Sequence, residues 1–87
     1  MRNFKKAIAD FDEAILLEPI NPRYFHAKGL SYQTEAECTQ NKKEQKSLRK
    51  NSIDNYQLAL DQDPNFKASL FHIGLVSRYV GYYKEAL

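Results

Sequence analysis

The feature that most limits what this chain can fold into is an internal repeat of helical pattern. The segment "NPRYFHAKGLSY" at 21–32 aligns with "FKASLFHIGLVS" at 66–77, placing Phe25 with Leu70, Ala27 with His72 and Gly29 with Gly74, each 45 residues apart. A second pattern alternates with the first. "FKKAIADFDEAILLEP" at 4–19 aligns with "RKNSIDNYQLALDQDP" at 49–64, again 45 residues on, and "YKEAL" at 83–87 follows after a further 34. In the first copy Phe4, Ala7, Ile8, Phe11, Ala14 and Ile15 form a series. In the second, Arg49, Ser52, Ile53, Tyr56, Ala59 and Leu60 take those places. Spacings of three and four put each series on one helix face. A unit of this kind buries its apolar face only against a neighbour, so the pattern predicts an all-α chain of stacked helices rather than a closed globule.

Local signals agree with that reading. Pro19 and Pro64 follow the second type of helix, which cannot continue through them. Asn21 followed by Pro22 reads as an N-cap with proline at the first helical position. Gly29 and Gly74, facing the small residues Ala7, Ala14, Ala59 and Ala86, are expected to let paired helices approach closely, with Phe11 and Tyr56 filling the space between.

The order aromatic, Gly, Tyr in one helix (Phe25, Gly29, Tyr32), then small, aromatic, Ala and Pro in the next (Ser52, Tyr56, Ala59, Pro64), resembles the tetratricopeptide repeat. The usual period of that repeat is about 34 residues. The resemblance implies one array fragment over 1–87. Residues 1–19 would be the second helix of one repeat, 22–63 a middle repeat, and 66–87 a third that begins a new helix near Tyr83. The middle repeat is 11 residues too long, with the excess near 36–46. Eleven residues make about three helical turns, so lengthening both helices nearly preserves register. Asn41 with Glu44 has the form of a capping box that would start a helix at Lys42. An elongated helical hairpin with its tip at Thr39–Asn41 is therefore expected in preference to a loop.

The resemblance also implies a binding surface, because the first helices of such repeats line a concave face that accepts extended peptides or a partner's helix. Position by position, the middle unit places Arg23, His26, Leu30, Gln33 and Thr34 there. The third unit places Ala68, Phe71, Leu75, Arg78 and Tyr79. Leu30, Phe71 and Leu75 also suit plain packing between helices. Some members of the family hold a chaperone's C-terminal carboxylate with Lys, Asn and Arg. Here His26 and Leu30 stand where the first two are needed, which argues against that ligand.

Catalytic and metal chemistry find little support. Cys38 with His26 or His72 lacks an orienting acid and an oxyanion loop. His26 and His72 occupy neighbouring positions of successive helices and are expected to approach, but two ligands without a third make no metal site. No phosphate-binding glycine loop, paired-cysteine motif or zinc-protease motif occurs, so neither an enzyme nor a cofactor is expected. Asp10, Asp12, Glu13, Asp54, Asp61 and Asp63 are read as a solvated outer face. A net charge of +2, from 13 basic and 11 acidic residues, is too small to demand a polyanionic partner. Its distribution is uneven, however. Lys42, Lys43, Lys46, Arg49 and Lys50, less Glu44, give +4 over nine residues. This basic tip admits nucleic acid or an acidic protein surface as alternatives to simple solubility. The absence of interleaved aromatics argues against nucleic acid.

The expected function is thus a non-catalytic scaffold that binds a protein or peptide. No apolar run approaches the roughly 20 residues that cross a bilayer, so no membrane partner is expected. Cys38 as the sole cysteine points to an intracellular, reducing setting, the cytoplasm first. Phe4, Ile8, Phe11 and Ile15 at one end, and Tyr82, Tyr83 and Leu87 at the other, are not the polar caps a solenoid end requires. A longer parent array or self-association is expected.

Overall fold

The computed structural model describes the backbone of residues 3–86 and the side chains of residues 3–78. Four helices follow one another: α1 (Phe4–Leu17), α2 (Pro22–Cys38), α3 (Lys42–Gln62) and α4 (Lys67–Ala86), with no strand among the described residues. Their limits are set by short-range chemistry. The Asn3 side chain accepts from the Lys6 N–H, and that of Asn21 from Arg23, with Pro22 opening α2. α1 stops at Leu17 and α3 at Gln62, each two residues short of its proline.

The residues at 36–46 are helical except for the tip Thr39–Asn41. Asn41 Oδ1 accepts from the Glu44 N–H at 3.0 Å, so α3 starts at Lys42 as the capping pattern indicates. Only half of the expected box forms. The Asn41 N–H donates to Thr39 Oγ1 at 3.3 Å, and Thr39 Oγ1 donates in turn to the Glu44 carboxylate at 3.4 Å. Gln45 Nε2 adds a bond to the Thr39 carbonyl at 2.7 Å. The tip is closed by its own side chains.

α2 lies between α1 and α3, α3 packs on α4, and α2 meets α4 along a narrow seam. Among the described residues the buried apolar ones are Ala36, Leu48, Tyr56, Ala59 and Val76, which centre the core on the α2–α3–α4 junction. Close approach of α2 and α3 depends on Gly29. A Cβ there would stand 2.7 Å from the Tyr56 ring and 3.1 Å from the Ser52 carbonyl oxygen. α1 is held less deeply, with an ion pair of 2.6 Å between Asp12 and Lys28. Phe4, Ile8, Phe11 and Ile15 are half-buried, not open as their terminal position suggests, because α2 covers that face. The exposed apolar groups of this end are instead Leu16, Leu17 and Ile20.

Three further expectations are corrected. Arg49 is not part of an exposed tip but buried, since it continues the inward stripe of Ser52, Tyr56 and Ala59. Gly74 has open space where its Cβ would be, so it does not serve the close packing that Gly29 does. Finally, α4 runs without a break to Ala86, where the repeat alignment starts a new helix near Tyr83. Gly81 alone costs a helix only about 1 kcal/mol, too little to end it without help from packing.

Candidate functional site

Two faces of α2 serve different purposes, and the distinction sorts the expected site residues. Leu30 and Gln33 are separated by about 60° around the helix axis, as three residues at 100° each require. That rotation carries Gln33, and His26 seven residues before it, toward α3 and α4. Arg23, Leu30 and Thr34 stay on the outer side. Arg23 and Leu30 are exposed, and the half-buried Thr34 is tied to the Leu30 carbonyl through its hydroxyl.

His26 and Gln33 build the seam. Tyr56, fully buried on α3, donates its hydroxyl to Gln33 Oε1 at 2.5 Å. His72 on α4 lies with Nδ1 at 3.2 Å from the same oxygen. An acceptor there requires the hydrogen on Nδ1 of His72. His26 Nδ1 is 2.8 Å from Oγ of the buried Ser69. Rings fill the remaining space. The His26 centroid is 5.1 Å from that of Tyr56, 5.2 Å from Phe66 and 5.3 Å from His72, and His72 stacks on Tyr56 at 5.3 Å. Burial, and then the neighbouring His72, hold the His26 imidazole below its usual value. Burial, reinforced by the Glu37 carboxylate, pushes the Tyr56 phenol well above its own. Both groups are therefore neutral at pH 7.

Of the expected site residues on α4, Ala68, Phe71 and Arg78 are exposed, while Leu75 is half-buried. Phe71 keeps 65% of its surface exposed, yet its ring sits 5.7 Å from that of His72, so it borders the seam from outside. The Tyr79 side chain lies outside the described residues. On the α1 side, a shallow cavity of about 350 Å³ extends the open face and is lined by Asn3, Phe4, Ala7, Leu30, Ser31 and Thr34. The structure thus brings His26 and Gln33 together as seam, and leaves Arg23, Leu30, Phe71 and Arg78 as surface. Ser69, Phe66 and Tyr56 complete the seam. Sequence reasoning singled out only Tyr56, as a spacer. The alignment of Phe66 and Ser69 with Asn21 and Tyr24 carries no hint of a shared polar network.

The basic tip survives as a lysine stripe. Lys42, Lys43, Lys46 and Lys50 are all exposed. Helical geometry places them within about 100° of arc on α3. No group of three metal-binding side chains occurs among the described residues. Cys38, exposed at the end of α2, is about 18 Å along the helix axis from His26, too far for a shared site. None of the described helices is long and apolar enough to cross a membrane. Comparison with protein-family models, with characterised proteins and with solved structures finds no match.

Proposed function

We propose that the chain is a helical-repeat module of the tetratricopeptide type that works as a non-catalytic scaffold. It would grip a peptide or a partner's helix on the outer face of α2 and α4. The observation that carries this reading is the exposure of Leu30 (42%) and Phe71 (65%) on helices whose inner sides are tied by Tyr56–Gln33–His72 and His26–Ser69. A rigid backing with apolar groups left outside suits recognition, since such groups need not move to receive a ligand. Arg23 lies seven residues before Leu30 on the same side of α2, and Arg78 seven after Phe71 on the same side of α4, which favours ligands that carry acids beside an apolar anchor. The test is a selection from a displayed peptide library at neutral pH, followed by fluorescence polarisation. Phe71→Ala is expected to weaken the best binder about tenfold or more. Leu17→Ser, on the exposed side of α1, is expected to leave it unchanged. Equal affinities for the two variants would refute the assignment of the face.

A second reading rests on the lysine stripe, whose four exposed ammonium groups form no ion pair among the described residues. It fits an acidic polypeptide better than nucleic acid, because Arg49, the one planar cation of the segment, is turned inward. Titration at low salt with a polyglutamate peptide and with an oligonucleotide separates them. Binding of the oligonucleotide alone would reverse the ranking.

A further inference from the structure

The two imidazoles at the junction are more than packing. His26 and His72 come from different helices, their ring centroids stand 5.3 Å apart, and their Nδ1 atoms carry the side-chain hydrogen bonds that join α2 to α4. We propose that this pair makes the α2–α4 seam, and with it the peptide-binding face, sensitive to protons: closed at neutral pH, loosened under mild acid. Its functional half rests on the reading given under Proposed function; its structural half does not.

The chemistry follows from who can accept. Gln33 Oε1 receives the Tyr56 hydroxyl and His72 Nδ1, so it prefers His72 as a donor in any protonation state. His26 differs. With Nδ1 unprotonated it accepts from the Ser69 hydroxyl. Protonated, it must donate, and the buried Ser69 hydrogen then has to find another acceptor. A second proton would also set two cations side by side against the Phe66 and Tyr56 rings. Arg23, Lys28 and Glu37 flank His26 and Gln33 on α2, and Asp63 ends α3. Lys67 opens α4, and α1 packs on the opposite side of α2 through Asp12 and Lys28. No described carboxylate forms an ion pair with either imidazole.

The sign is fixed by where the proton is excluded. In the closed seam His26 resists protonation, whereas a released His26 titrates near its usual 6.5. Closure is complete above 6.5 and is lost as the pH falls toward the lower, closed-state value. For one excluded proton the loss is at most about tenfold per pH unit. α4 carries Phe71, Leu75 and Arg78, so its release removes half of the proposed face.

Amide hydrogen exchange by NMR on the full chain tests this without any ligand. Between pH 7.5 and 5.5, protection factors over 67–76 are expected to fall, by up to about tenfold, relative to those of α3 in the wild type. They are expected to hold steady in His26→Gln, whose amide can still bond to Ser69. Unchanged wild-type protection, or an equal fall in His26→Gln, overturns the proposal. Should His26→Gln not fold, His26→Phe keeps a ring against Tyr56 and Phe66 and removes the titrating group, with the same expectations. A peptide selected at pH 7.5 then tests the coupling. Its affinity should drop in parallel in the wild type only; an affinity independent of pH while α4 loosens would sever the face from the seam. Failure to select any peptide would count against the binding face and leave the exchange result to decide the seam.

Discussion

Replacing Gly29 by alanine adds a single methyl group, and the structure says where it goes. Its carbon would lie 2.7 Å from both Cδ1 and Cε1 of Tyr56 and 3.1 Å from the Ser52 carbonyl oxygen. Neither neighbour yields easily. Tyr56 has no exposed surface and its hydroxyl is bound to Gln33, while the Ser52 oxygen belongs to the α3 backbone. Alanine gains about 1 kcal/mol over glycine in a helix interior. Overpacking a tight contact costs about 1–3 kcal/mol, and here the gap is short enough for the upper part of that range. The net is a loss of about 1–2 kcal/mol. Gly74, its partner in the repeat, supplies the control. It has open space at the same position, so Gly74→Ala keeps only the helix gain of up to about 1 kcal/mol. Urea denaturation followed by circular dichroism at 222 nm reads both. In melting temperature, each kcal/mol corresponds to about 4–8 °C for a domain of this size. The two substitutions must move stability in opposite directions. If Gly29→Ala is as stable as the wild type, the claimed contact between α2 and α3 is wrong.

Three further outcomes follow from particular contacts. Tyr56→Phe removes the hydroxyl bound to Gln33 while His72 still reaches the same oxygen, so a loss of about 1 kcal/mol is expected by denaturation. Asn41→Ala removes the side-chain cap of α3, which accepts from the Glu44 N–H, and costs about 1 kcal/mol in the same assay. Stability should also fall in mild acid. Because folding holds His26 below 6.5, the unfolded chain binds the proton first as the pH drops; the contribution is intact above 6.5 and disappears as the folded value is approached. The difference between wild type and His26→Gln in urea midpoints at pH 7.5, 6.0 and 5.0 isolates it, and a difference that does not change with pH would show that His26 titrates alike in both states.

Helix limits were legible because they are set within a few residues of chain. Asn21 before Pro22, Asn41 before Glu44, and Pro19 and Pro64 after α1 and α3 act through bonds and clashes that reach no further than a turn. The helical form of the segment 36–46 belongs to the same class, since about three added turns keep each residue on its face. The periodic stripe of α3 grouped Ser52, Tyr56 and Ala59 as inward residues, whereas Arg49, in the same series, was read from its charge as part of an exposed tip and is buried.

Beyond that, residue order alone could not decide. A stripe with helical spacing says that some neighbour covers it, not which one, and a rotation of about 60° separates the outer face of α2 from its seam. Only packing put Leu30 outside and Gln33 against Tyr56 and His72, and gave Gly29 a ring to meet and Gly74 none. Capping and breaking are local free energies carried by the sequence. Pairing of faces depends on the crossing of helices far apart in the chain, and that is a property of the assembled structure.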